Sequence, residues 1–371
     1  MSFSSSTLFQ RVERARRRKH KFTDTHITLA HGSGGRAMHE LIEALFLEYF
    51  RNPLLERLED QAVFDIPANG SANKPSARLA YTTDSYVVSP IFFPGGDIGK
   101  LAIDGTVNDL AMSGARPLYL SSGFILEEGF AIDDLRKILA SMRDAAAEAG
   151  VIVVTGDTKV VQKGGADKIF INTSGIGVIE QPLNLSVTRT QPGDKVVLSG
   201  TLGDHGTTIM IARGELELET DIESDCAPLQ SLVAEMIDEA GRRDALDGIR
   251  CLRDPTRGGL ATTLNEMALG AEVCIEIREE LIPVREEVKG ACEILGLDPL
   301  YVANEGKLVA IVAADLAEPL VARMRRHRYG GEACIIGDVK AEPGGIVSLR
   351  TGFGGTRIVD MLVGEQLPRI C

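Results

Sequence analysis

No apolar run in this chain approaches the ~20 residues that a membrane-crossing helix needs. No Cys-x-x-Cys pair occurs either, because the six cysteines, Cys226, Cys251, Cys274, Cys292, Cys334 and Cys371, lie scattered. That spacing argues against a zinc ribbon and against a disulfide framework, and it suits a reducing cytoplasm. The phosphate cradle Gly-x-x-x-x-Gly-Lys-Ser/Thr is missing, so a standard P-loop is excluded. Short-period internal repeats are missing as well. Finally, the chain lacks a broad basic face. Its formal net charge is −13, and residues 11–21 (RVERARRRKHK) alone carry +6, leaving −19 on the remainder. An acidic body of this kind is a poor partner for nucleic acid.

What is present describes an ordinary soluble globular protein, with 44% hydrophobic and 25% charged residues. A length of 371 residues exceeds what one core usually holds, so two domains are expected. Residues 1–25 read as a solvated, basic extension without the apolar core of a secretory signal. From 26 to 187 strand-like and helix-like segments alternate. Leu79–Thr83, Leu118–Leu126, Val151–Thr155 and Lys168–Ile179 read as strands. Asp97 is placed to cap a helix running to about Ser113, and a helix from Asp133 follows the 3.6-residue period through Leu135, Ile138, Leu139, Met142 and Ala146 until Gly150 stops it. After a connector at 181–194 the pattern restarts over 188–350. There, strands are expected at Lys195–Ser199, Glu272–Ile277, Lys307–Ala313 and 334–339. Helices are expected near 203–213, 228–241, 258–269, 284–295 and 315–327. The Gly-rich residues 351–371 read as a flexible tail. The first half is α+β or α/β in type, and the second resumes its pattern of strands and helices.

Acidic residues recur beside small residues at the ends of these elements: Asp84 in YTTDSYVV, Asp104, Asn108 and Asp109 in IDGTVNDLAMSGA, Asp157 in VVTGDTKVV and Asp254 in LRDPTRGGL. Taken singly, each reads more simply as a cap or turn residue. Together they form a set of hard oxygen ligands suited to Mg²⁺, which takes one or two carboxylates and leaves room for phosphate and water. His31, Gly32, Ser33, Gly34 and Gly35 make a glycine-rich loop ahead of an amphipathic segment, where backbone can approach phosphate closely. Lys159 follows Asp157 by two residues, which puts a cation on the same side of an extended segment. Glu305, in YVANEGK, precedes a strand in a setting suited to a general base.

The strings TTDSYVVSP, GTVNDLAMSGARP, GDTKVV, LRDPTRGGL and ANEGK, joined to a PRIC terminus, closely resemble the HypE family of NiFe-hydrogenase maturation factors. The resemblance runs from about residue 26 to the end of the chain. The acidic motifs alone are shared across the wider PurM-like superfamily of ATP-using enzymes. The resemblance implies a two-domain PurM-like fold of class α/β and α+β: an N-terminal α/β domain that dimerises by completing a shared β-barrel, a C-terminal α+β domain, and ATP with Mg²⁺ bound between them. It implies Asp84, Asp109 and Asp254 as metal–phosphate carboxylates, Asn108, Asp157 and the loop His31–Gly35 as further ATP-site residues, and Lys159 and Glu305 as catalytic. It also implies that Cys371 carries the reacting group. A carbamoyl moiety placed there by HypF would be dehydrated to a thiocyanate and passed to a HypC–HypD complex. A fully extended tail from Thr351 spans at most ~70 Å, enough to visit more than one active site. The principal alternative is another PurM-like enzyme, a selenophosphate synthetase or a small-molecule kinase, indifferent to the terminal thiol. Selenophosphate synthetases usually carry a reactive cysteine near the glycine loop, and here none precedes Cys226. A non-catalytic thiol carrier is the third reading.

Overall fold

The computed structural model describes residues 24–68, 71–216, 220–364 and 367–371; the basic head read from the sequence lies outside them. Two sheets organise the chain. The first has five strands: β1 (Ala62–Ala68), β2 (Ser71–Tyr86), β5 (Arg116–Glu127), β6 (Ile152–Val161) and β7 (Ile169–Val178), in the order β1-β2-β7-β5-β6. A two-strand ribbon, β3 (Phe92–Phe93) with β4 (Gly96–Asp97), leads into helix α1 (Ile98–Met112). Asp97 caps α1 as its position predicts, its Oδ1 accepting from the amides of Gly99 at 2.6 Å and Lys100 at 3.1 Å. Helix α2 (Ile132–Ala149) ends where Gly150 adopts φ +70°, the left-handed turn that suits glycine. Of its apolar positions, Ile138, Met142 and Ala146 are buried, whereas Leu139 stays exposed.

Both helices cover one face of this sheet. Nearly every residue of α1 is buried, because α1 lies between the sheet and α2 on one side and the second half of the molecule on the other. Its close approach depends on Gly175 of β7. A Cβ there would stand 2.8 Å from side-chain carbons of both Leu110 and Leu120. The opposite face of the sheet, with Tyr81, Tyr119, Ile125 and Ile152, is exposed, and the sheet is open at β1 and β6.

The second sheet has seven strands: β8 (Lys195–Leu198), β9 (Ile249–Arg253), β10 (Cys274–Arg278), β11 (Val309–Val312), β12 (Cys334–Lys340), β13 (Ile346–Arg350) and β14 (Thr356–Val359), ordered β14-β13-β10-β12-β8-β11-β9. One face packs against α4 (Gln230–Arg242) and α7 (Ala314–Met324), after the shorter α3 (Asp204–Ala212). The other face packs against α5 (Gly259–Ala271), with α6 (Glu286–Leu295) to one side. Burial on both faces explains why β9 and β13 show no alternation and went unread in the sequence. Residues 356–359, read as the start of a flexible tail, instead form the edge strand β14 against β13.

Replacing Gly175 with alanine forces methyl-sized overpacking beneath α1. Urea unfolding is expected to show a loss of about 1–3 kcal/mol; a variant as stable as the parent removes this account of how α1 seats.

Candidate active site

The last four residues leave the second domain and lie along the chain that continues β2. The Val87 amide donates to the Cys371 carbonyl oxygen at 3.0 Å, and the Ser89 amide to that of Arg369 at 3.2 Å. Arg369 donates through Nε to the Val87 carbonyl at 2.8 Å and pairs with Asp167. Ile370 and Cys371 are thereby buried, against a core that includes Leu101 and Ile209. The Cys371 side chain lines a small cavity of about 60 Å³ together with Ser33, Ser85, Arg257, Tyr301 and Ala303.

Around that cavity, four separate parts of the chain deliver carboxylates. Asp84 comes from β2, Asp109 from α1, Asp254 from the end of β9, and Glu305 from the loop before β11. Asp60, ahead of β1, joins them electrostatically. Burial and mutual repulsion act in the same direction on this set. Burial first, then Asp254, Asp225 and Asp84, holds Glu305 well above the ordinary carboxylate range. Burial together with Asp254 and Asp84 does the same to Asp109. Asp254 is pushed up to about 8 by burial and by Asp60, and Asp84 is raised mainly by burial. Burial likewise raises the Cys371 thiol, opposed by the Arg257 guanidinium. Of the two arginines in the motif LRDPTRGGL, the second, Arg257, is the cation that faces both Cys371 and Asp84.

These groups are held by backbone contacts. Asn304 stitches the two loops together, its Nδ2 donating to the Pro255 carbonyl at 2.9 Å and its Oδ1 accepting from the Gly203 amide at 2.8 Å. The Glu305 amide donates to Asp225 Oδ1 at 3.0 Å, and Lys307 pairs with the same aspartate at 2.9 Å. Asn108 spends its amide on main chain, donating to Ala227 at 3.1 Å and Glu305 at 3.4 Å and accepting from Leu229 at 2.7 Å. Thr82 donates to Asp109 Oδ2 at 2.7 Å. Glu305 Oε1 is buried with no hydrogen-bond partner.

The glycine-rich loop closes over this region. Arg257 donates to the Gly32 carbonyl at 3.3 Å, and Ser33 Oγ donates to the Gly364 carbonyl at 3.2 Å. A Cβ at Gly34, which has φ +75°, would fall 2.6 Å from the Arg257 carbonyl oxygen, so only glycine fits. Gly35 packs as closely against Leu362. The buried His31 accepts from the Thr28 amide through Nδ1 at 3.0 Å and meets Asp24 through Nε2.

Asp157 and Lys159 are not brought to this cluster. They pair with each other at 2.6 Å and are about 70% exposed. Strand register aligns Asp157 with Gly123, Asn172 and Ser85, so it shares a sheet face with Ser85, while Asp84 points to the other. Three interstrand spacings, about 14 Å, separate the two rows' ends.

The AIR synthase related family matches the chain in both halves, its N-terminal domain over residues 58–179 and its C-terminal domain over 191–350. Carbamoyl dehydratase HypE of Azotobacter vinelandii is 55% identical over 345 residues, covering 93% of this chain and 97% of that protein. This chain belongs to the HypE carbamoyl dehydratase family. HypE of Escherichia coli K12 is 47% identical over 348 residues, 93% of this chain and 99% of that protein. A crystal structure of HypE in complex with ATP superposes with a TM-score of 0.75 at 50% identity, spanning 93% of this chain and all of that one. A HypE–HypF complex gives 0.79 at 48% identity, spanning 87% and 99%. Thiamine monophosphate kinase from Aquifex aeolicus, at 19% identity and TM-score 0.60, shares the fold alone.

Among the described residues, no group of three or more His, Cys, Asp and Glu side chains converges tightly enough to hold a metal ion unaided. The carboxylates nevertheless outnumber the cations beside them, Arg253 and Arg257, so a cationic ligand there would relieve their repulsion. The sign of the consequence is fixed. A carboxyl whose folded pKa lies above its unfolded value stabilises the fold at low pH, and that contribution is lost as pH rises through the folded value. Asp254→Asn is therefore expected to raise the melting temperature of the nucleotide-free protein. The gain should grow from the ordinary carboxylate range up to about pH 8. A gain independent of pH, measured by calorimetry, counts against the repulsive cluster.

Proposed function

We propose that the chain dehydrates, at the expense of ATP, a carboxamide carried on the sulfur of Cys371, giving a thiocyanate that supplies cyanide to hydrogenase iron. The observation that carries this reading is the burial of the terminal thiol beside Arg257, Glu305 and Asp84 in a chain of HypE type. An amide oxygen is a poor leaving group, so it must first be phosphorylated; phosphate then departs with that oxygen while two N–H protons are lost. Asp84, Asp109 and Asp254 would hold Mg²⁺, which supplies charge neutralisation at the phosphates. The loop His31–Gly35 would close over the nucleotide, and Arg257 faces the thiol where negative charge develops. Glu305 in its ionised form accepts an N–H proton. Burial of the tail keeps water from the activated carboxamide. Asn108 and Asn304 position the Glu305 loop rather than touch substrate.

Lys159 and Asp157 enter this scheme through a second copy. The face bearing Tyr81, Tyr119, Ile125 and Ile152 is the kind of exposed apolar surface that marks an interface. Pairing two such faces into a closed barrel makes a homodimer in which Lys159 serves the partner's site. HypF would load the carbamoyl group and a HypC–HypD complex would take the cyanide. Among the described residues no helix is long and apolar enough to cross a membrane. The proposed reaction belongs to a reducing compartment, the cytoplasm, in which the thiol of Cys371 stays free to be loaded.

Intact-protein mass spectrometry after incubation with HypF, carbamoyl phosphate and ATP tests the assignment. The carbamoyl mass should appear on the C-terminal peptide and then fall by one water. Cys371→Ala should show neither change while keeping nucleotide affinity. Glu305→Gln should accept the carbamoyl group and stall there, with the dehydration rate down at least ~100-fold. A thiol that is loaded but never loses water sinks the reading.

The cross-subunit role of Lys159 is checked by mixing. Lys159→Ala and Cys371→Ala are each expected to be inactive, and remixed subunits should recover roughly a quarter of parental activity if half are heterodimers with one competent site. No recovery, with subunit exchange demonstrated, removes Lys159 from the partner's site.

A further inference from the structure

Every main-chain carbonyl of the terminal tetrapeptide accepts a hydrogen bond from outside the tail. Arg213 Nη2 donates to the carbonyl oxygens of Pro368 and Arg369, each at 2.5 Å. His205 Nε2 lies 2.8 Å from that of Ile370. The amides of Ser89 and Val87 take Arg369 and Cys371. Arg213 also donates through Nε to the Ser89 carbonyl at 2.5 Å, so one guanidinium joins the tail to the segment it lies along.

The His205 contact fixes a tautomer. A carbonyl oxygen can only accept, so Nε2 carries the hydrogen and Nδ1 accepts from Ser224 Oγ at 2.8 Å, which in turn accepts from the Cys226 amide at 3.1 Å. The ring is fully buried and stands edge-on to Phe93 at 5.6 Å between centroids. Both donors belong to one element: His205 lies in α3, and Arg213 is the residue that ends it. Against this grip stands a strained backbone, since Arg369 adopts φ +51°, a region that a residue with a Cβ enters only when its surroundings hold it there.

We propose that Arg213 and His205 are positioning residues for the dehydration step, forming with the main chain of 87–89 a cradle that reads the backbone of the last four residues and sets the Cys371 sulfur against Arg257 and Glu305. This inference rests on the dehydration proposed above. Because the cradle grips carbonyls, it fixes how far the sulfur reaches and leaves the thiol itself free to be loaded, released and re-inserted. Neither residue touches the carboxamide.

The test uses the full-length protein, loaded with carbamoyl on Cys371, in single-turnover reactions with Mg-ATP. Arg213→Ala is expected to slow dehydration at least ~10-fold and, in the unloaded protein with nucleotide bound, to speed iodoacetamide alkylation of the C-terminal peptide at least ~10-fold. ATP affinity should stay within about twofold, and Arg213→Lys should recover part of both effects. His205→Ala, which deletes a single contact, should move both rates in the same senses and serves if the arginine variant does not fold. Dehydration within about twofold of the parent, alkylation no faster than the parent, or ATP affinity lost in step with dehydration each overturns the cradle. The parent reports on the underlying reading. A loaded parent that never loses water sinks dehydration itself, whereas a parent that turns over beside variants that match it sinks only the cradle.

Discussion

A shortage of positive charge where acidic side chains converge governs this molecule. Asp60, Asp84, Asp109, Asp254 and Glu305 arrive from five places in the chain; burial raises all five, and repulsion from other members of the set adds to it at Asp109, Asp254 and Glu305. A cluster of that kind opposes folding on its own and persists because the surrounding elements are held by something stronger. Here that is the burial of α1 between the two halves and the stitching of the Pro255 and Glu305 loops by Asn304 and Asn108. The resulting site is poised to take counter-charge, and a phosphate-bound cation is the ligand that chemistry favours.

The terminal cysteine meets that site under an opposite demand. In the proposed reaction it is accessible while a group is placed on it and enclosed while that group is activated. Hydrogen bonds to main chain suit this, because each is individually modest and can be exchanged for water on release. Side-chain packing contributes mainly through Ile370 and the Arg369–Asp167 pair. The tail is therefore a turn held by its main chain beside residues 87–89, and the edge strand β14 shortens its free span well below what the sequence suggests.

Much of the local structure could be read directly. The cap at Asp97, the stop at Gly150, and the helices around 204–212 and 230–242 follow from short-range rules about capping, glycine and apolar period. Strands β9, β13 and β14 escaped because a strand covered on both faces, or lying at a sheet edge after a glycine-rich turn, leaves no alternating signature. In the site, aspartates beside small residues were legible as a group. Arg257, Asp60, Asp225, His205 and Arg213 were not, since nothing in their neighbours marks a side chain that works by facing a distant segment.

Asp157 and Lys159 show where the division falls. Two residues apart on an extended segment must share a side, and they do, joined as an ion pair. Which side of the sheet that is, relative to Asp84, depends on the register of β6 against β5, β7 and β2, which only long-range pairing sets. Sequence by itself determined the chemical types available, the local elements and the presence of a thiol at the chain end, because these rest on contacts between near neighbours. The tertiary structure decided which carboxylates meet, which cation faces the sulfur and which residues are left on the open face. Those outcomes depend on segments hundreds of residues apart being packed to within hydrogen-bonding distance.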